Sequence, residues 1–272
     1  MAPDLTALQS TIGSARRAPP SLWPYSLAGF VSFFALWFAL AHSGLMPARV
    51  LPGPDAVVAA FFDLTRDPFA GFTLQQHLLS SAMRFGLGFL IAAAAGIPLG
   101  LVMGRFRWVD DVASPIFEAL RFVAPIAWVP FAALWFGTGI GGPILIIFSG
   151  AFPPCVINAY RGARLVEPRL IEAAQMLGAS QWRIIIEVLI PGALPAIIAG
   201  LRIGAGLGWQ SLIGAELIVV SSGIGYLIVQ GQSNLATPIV MAGMLAIGLV
   251  GFAIDALLRA FEQWIRRGWS AA

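Results

Sequence analysis

Long apolar runs, separated by short polar or glycine- and proline-rich stretches, set the pattern of this 272-residue chain. The first extends from Tyr25 to Gly44; others cover roughly 81–104, 113–136, 143–160, 192–219 and 238–258. Several exceed the ~18 apolar residues that argue for a membrane-spanning helix. The pattern predicts an all-α membrane protein with about six transmembrane helices.

The breaks sharpen that reading. Residues 1–22 are polar and form a tail, 23–260 the transmembrane domain, and 261–272 a second tail. The first run is too long for a signal-peptide core, and no A-x-A-type cleavage site follows it, so it reads as an uncleaved first span. Pro54 to Leu64 suits a short amphipathic helix at the outer surface. Gly96, Gly100 and Gly104, and again Gly200, Gly204 and Gly208, recur every fourth residue and line one helix face each, which suits close helix packing. Pro125 and Pro130 predict a kink in the third span, and Pro153-Pro154 an interruption of the fourth. Residues 220–237 carry no charge and suggest a re-entrant or surface connection.

Composition agrees. The chain is 58% hydrophobic and 11% charged, with mean hydropathy +0.85, against about 25% charged in a soluble domain. All sixteen Lys-plus-Arg residues are arginine. A nucleotide-binding P-loop needs a lysine, so ATP-driven work requires a different polypeptide. Cys155 stands alone in an apolar run and reads as a packing residue, with no disulfide or thiolate cluster to build. His42 and His77 share one connecting region, lack partners at ligand spacing and read as solvated or interfacial. No residue set suggests a bound metal.

Arginine placement orients the chain. With the N-terminus inside, Arg16, Arg17, Arg105, Arg107, Arg161, Arg164, Arg169, Arg183, Arg259, Arg266 and Arg267 fall on the cytoplasmic side. Arg49 and Arg66 fall opposite, with Arg84 at an outer boundary. That asymmetry follows the positive-inside rule and places both termini in the cytoplasm.

The polar hairpin at 165–191 is the most informative segment. Pro168 suits the first turn of a short helix, and Leu170, Ile171, Ala174 and Leu177 fall on one face. Gly178 sits where a left-handed cap reverses the chain, Ser180 can cap a second helix, and Pro191 ends it. From chemistry alone the hairpin suits either a partner-docking element or an interfacial anchor with Ile184, Ile185 and Ile186 in the headgroups.

The run Glu172-Ala173-Ala174-Gln175-Met176-Leu177-Gly178, followed after nine residues by Val188-Leu189-Ile190-Pro191, resembles the cytoplasmic EAA loop of bacterial ABC-importer permeases at every fixed position. Arg121 to Pro130, Leu134-Trp135-Phe136-Gly137, Gly200-Leu201-Arg202 and Ala215-Glu216 resemble the nitrate/taurine/sulfonate/bicarbonate branch, and the likeness covers roughly 50–260. The resemblance implies a type I ABC importer (MetI-like) permease fold and a homodimer in the bacterial inner membrane. It implies cytoplasmic ABC ATPase subunits that bind ATP and Mg, a periplasmic or lipid-anchored substrate-binding protein, and no cofactor in this chain. Glu172, Ala173, Ala174, Leu177 and Gly178 would form the ATPase-coupling element. The expected cargo is a small anion of taurine/alkanesulfonate or nitrate type, and no nucleic acid is implied.

Ionisable residues inside spans default to functional hypotheses. Arg121, Arg202, Glu216 and Trp128 are the candidate translocation-path residues. Arg121 and Arg202 could grip an oxyanion or pair internally, Arg121 with Glu118 at i,i+3. Glu216 could line the entrance, cap the 220–237 segment or pair with Arg84. A secondary transporter or channel acting without an ATPase would predict inverted repeats and a coupling-ion site; a membrane enzyme would need clustered His, Asp or Glu. Neither pattern is present in the sequence.

Overall fold

The computed structural model describes residues 23–47, 49–137, 139–218 and 220–269; the N-terminal tail and the last three residues lie outside them. The described residues are helical apart from turns and one isolated bridge between Phe69 and Phe72. Five helices are long and apolar enough to cross a membrane, or six if one bent pair counts as a span.

The chain divides into two units, residues 1–54 and 55–272. The first holds α1, Trp23–His42, none of whose residues is buried. Such an apolar, exposed helix suits a lipid surround. Within this unit the Trp37 indole donates to the Pro52 carbonyl at 3.1 Å.

The second unit contains α2 (Pro54–Arg66), α3 (Leu74–Arg105) and α4 (Arg107–Arg121). A 3₁₀ turn at Pro125–Trp128 leads into α5 (Val129–Phe136). Next come α6 (Gly141–Leu165), the hairpin helices α7 (Pro168–Met176) and α8 (Gln181–Ile184), and α9 (Ile190–Glu216). The chain closes with α10 (Ile224–Ser233) and α11 (Thr237–Trp269).

Helix α6 is the centre of this unit, and the two glycine series explain how. A Cβ on Gly100 would lie 2.4 Å from the Val156 carbonyl oxygen, and one on Gly104 2.5 Å from the Ala163 Cβ. From the other side, Gly200 would meet the Asn158 Cβ at 2.6 Å and Gly204 the Ala151 carbonyl at 3.0 Å. Both stripes therefore face α6, which is held between α3 and α9 at backbone distance. Lipid offers little drive to bury apolar surface, so this close packing is what binds the helices. Cys155 is buried in the same seam, beside Gly96 and Gly204.

One expectation from the prolines holds and two change. The third span breaks at Pro125, with α4 and the Pro125–Phe136 segment at 88°; Ala124, before the proline, is extended at ψ 140°, and Pro130 sits in the first turn of α5. Pro153-Pro154 do not interrupt α6, which runs unbroken for 25 residues. Its two glycine-faced neighbours fix its path, in keeping with proline tolerance in packed membrane helices. Pro191 does not end the second hairpin helix: a π-helical turn at Ile185–Leu189 carries the chain straight into α9. The uncharged 220–237 stretch holds α10, and the basic tail from Arg259 is the end of α11 rather than a separate segment.

Candidate functional site

The hairpin takes the predicted form. Gly178 has φ +78°, and the N–H of Ala179 reaches back to the Ala174 carbonyl at 3.0 Å while that of Gly178 bonds to Gln175 at 2.9 Å. These bonds close α7 with a left-handed cap. The Ser180 hydroxyl then accepts from the Arg183 N–H at 3.3 Å to open α8.

Its apolar residues divide by side. Ile171, Ile185, Val188 and Ile190 pack against a buried cluster of Leu101, Ala159, Ala163, Val166, Leu189, Ala193 and Ile197. Val188 and Ile190, the apolar pair of the motif, thus anchor the hairpin to the ends of α3, α6 and α9. Ile184 is fully buried, so it does not dip into headgroups. Glu172, Ala173 and Gly178 are exposed, as are Met176 and Leu177, at 90% and 89%; Ala174 is half-buried. The predicted single face of Leu170, Ile171, Ala174 and Leu177 therefore splits, with Ile171 and Ala174 turned inward. The Arg105 guanidinium, at the end of α3, donates to the Gln181 side chain at 2.8 Å.

A cavity of about 540 Å³ opens beside α6. The α4–α5 elbow contributes Arg121 and Val123 to Ile126, α6 contributes Ser149, Gly150, Pro153, Pro154, Ile157 and Asn158, and α9 contributes Ile203, Leu207, Gln210, Ser211 and Gly214. A second space of about 180 Å³ is lined by Arg121, Trp128 and the rings of Phe117, Phe148 and Phe152. The structure thus brings Arg121 and Trp128 to adjoining cavities. Glu118 bonds to the Arg121 Nε at 2.6 Å, and the guanidinium lies 4.5 Å from the centre of the Phe122 ring.

Arg202 is placed elsewhere. It lies on another face of α9, bonded to Asp255 of α11 at 2.7 Å and 3.7 Å from Glu262. Arg259 joins Asp255 from the next turn.

Glu216 is fully buried and also lies away from the cavity. One carboxylate oxygen accepts from Arg84 at 2.8 Å, the other from the Gly225 N–H at 3.1 Å, and the Ser81 hydroxyl lies 2.8 Å from both. Arg84 also donates to the Ser222 carbonyl and hydroxyl at 2.8 and 2.6 Å. The Ile224 N–H bonds to Ser81 at 3.0 Å and the Gly223 N–H to His77 Nδ1 at 3.1 Å. His77 is buried rather than solvated; with Nδ1 accepting, its Nε2–H donates to Phe69. Side chains of α3 and α9 thus satisfy the orphan N–H groups at the start of α10, where the helix dipole also favours a carboxylate. Of the three roles open to Glu216, the geometry matches two: it caps the segment and pairs with Arg84.

Screening the spans for charge missed Asn158, Gln210, Ser149 and Ser211. Uncharged amides at mid-span were the available signal. Asp110, at the start of α4, links to α6 by bonds from Tyr160 and Arg164 at 2.9 and 2.8 Å.

The profile of the binding-protein-dependent transport system inner membrane component family matches residues 96–267. The chain belongs to that family. It is 36% identical over 248 residues to the taurine transport system permease protein TauC of Escherichia coli, covering 89% of this chain and 90% of the relative. It is 35% identical to the putative aliphatic sulfonates transport permease protein SsuC of Bacillus subtilis, covering 84% and 82%. The bicarbonate transport system permease protein CmpB of Synechococcus elongatus is 34% identical, covering 89% and 88%. The fold matches a chain from inward facing conformations of the MetNI methionine ABC transporter with TM-score 0.53, at 19% identity, covering 69% of this chain and 95% of that one. The permease is therefore a transport subunit of a binding-protein-dependent ABC importer, and ATP hydrolysis belongs to a separate subunit.

Proposed function

We propose that the permease carries a small oxyanion of the taurine or alkanesulfonate type, with nitrate the alternative cargo, through the cavity beside α6. One observation carries this reading: among the described residues lining that cavity, Arg121 is the one ionisable group, so the wall offers a cation and no carboxylate. A guanidinium matches an oxyanion in bidentate geometry. The named sulfonate and taurine relatives support the same cargo.

Two copies of the permease enclose the path, in contact with lipid and with both termini in the cytoplasm. Each docks the exposed side of α7, with Glu172, Ala173, Leu177 and Gly178, into a cytoplasmic ATPase subunit that binds ATP and Mg. Ala174 lets α7 approach its own support closely, and a periplasmic or lipid-anchored binding protein delivers the anion. Closure of the ATPase pair rocks the spans between inward- and outward-facing states. Trp128 and Arg121 belong to the path; Arg202 and Glu216 hold the helices that form it.

The test is ATP-dependent uptake of labelled taurine, then nitrate, into vesicles holding the purified complex and its binding protein. Uptake that needs ATP and falls on Arg121→Ala supports the reading. Taurine or nitrate uptake that proceeds without ATP, or that Arg121→Ala leaves unchanged, overturns it.

A further inference from the structure

Arg121 lines a third space as well. About 230 Å³ in volume, it is bounded by Ser114, Glu118, Tyr160 and Arg161 among others. Along α6 the large cavity touches residues 149–158 and this one 156–161, so the third space lies nearer the end of α6 that leads into the coupling hairpin. Arg121 stands where the two adjoin.

The Arg121–Glu118 pair differs in kind from the buried pair of Arg84 and Glu216. Arg84 and Glu216 are buried and bonded to several further groups. Glu118 and Arg121 are 52% and 32% exposed, lie on one helix turn, and meet through the guanidinium Nε. Exposed i,i+3 pairs are weak. A guanidinium carries five N–H donors, so contact through Nε leaves the Nη donors unused by Glu118. In the large cavity Ser149, Asn158 and Gln210 add neutral polar groups but no competing charge.

Resting on the permease reading above, we propose that Glu118 is a resident counter-ion which the translocated oxyanion displaces from Arg121, and whose return releases the anion towards the hairpin side. The carboxylate does two things. It keeps the cation neutralised while the path is empty, and it competes with cargo, so that Arg121 attracts a compact monoanion without trapping it. Cargo of this class has an oxyanion head small enough to replace one carboxylate.

Thiol labelling tests this without knowledge of the cargo. In the purified permease–ATPase complex, Cys155→Ala removes the native thiol and Ser149→Cys places one in the cavity wall. The probes are the methanethiosulfonate reagents bearing an ethylsulfonate or an ethyltrimethylammonium group. Ser233→Cys, at an exposed position, gives their intrinsic rate ratio. A cavity lined by one sign of charge raises the local counter-ion reactivity about tenfold or more. With Glu118 paired to Arg121, the anionic-to-cationic rate ratio at Ser149→Cys stays near that reference, and Glu118→Gln, which frees the cation, raises it about tenfold. Arg121→Gln added to Glu118→Gln abolishes the excess, and Arg121→Lys added to Glu118→Gln keeps it. If Arg121→Gln fails to assemble, the Lys and Glu118→Gln variants still decide.

A ratio indifferent to Glu118→Gln, or no reaction with either reagent, overturns the proposal. Failure of the permease reading itself shows separately, as loss of the co-purifying ATPase from the parental protein.

Discussion

Glu216 and Arg84, 132 positions apart in sequence, meet at 2.8 Å in a site where the carboxylate has no exposure. The contact joins α9 to α3 and fastens the start of α10 to both. Removing one partner of such a pair leaves an uncompensated buried charge, which costs about 3–5 kcal/mol. Glu216→Ala should therefore lower the thermal midpoint of the detergent-purified protein sharply, and Glu216→Gln less so, because an amide still accepts from Gly225. Equal midpoints for all three proteins would refute this account of the network.

Gly100 faces the Val156 carbonyl so closely that a methyl group has nowhere to go. Gly100→Ala is expected to force α3 and α6 apart and to reduce the yield of monodisperse protein on size-exclusion chromatography. Gly86, which meets nothing within 4 Å, should accept alanine without loss.

Gly178 has open space around its missing side chain, so the effect of substitution is a backbone effect. Gly178→Val puts a β-branched residue at φ +78°, at a cost of roughly 1–2 kcal/mol or more. The cap at the end of α7 should loosen, and transport per ATP hydrolysed should fall while hydrolysis continues. Paired measurement of both rates in vesicles decides it; an unchanged ratio would exclude the hairpin as the transmitting element.

Arg202 and Arg121 should behave oppositely. Arg202→Ala strips Asp255 and Glu262 of a partner and should lower stability, with uptake per folded complex retained. Arg121→Ala should spare stability and depress uptake. A complete uptake series with thermal midpoints measured on the same preparations separates the two.

Most of the architecture could be read from run length. Apolar stretches of membrane-spanning length became helices because the backbone has no other way to satisfy its polar groups in hydrocarbon. The turn of the hairpin was equally legible, since Gly178, Ser180 and Pro168 each act through local backbone geometry, whereas its end at Pro191 and its single apolar face were misread. Partner choice was not. Arg202 finds Asp255 across 53 positions and Ser81 finds Glu216 across 135, and spacing along one chain says nothing about which helix faces which. His77 was misread for that reason: its partner, the Gly223 N–H, lies 146 positions away. The proline pair in α6 misled because local breaking tendency was outweighed by the neighbours on either side. The cavity was hidden too, being drawn from three separated segments whose polar members carry no charge.

A helix wedged between two rows of glycine cannot slide. Any displacement of α6 by a fraction of a turn would drive Ala163 or Asn158 into a backbone with no side chain to yield. Helices α3, α6 and α9 accordingly behave as one spar. The elbow at residues 122–124 lies outside that seam.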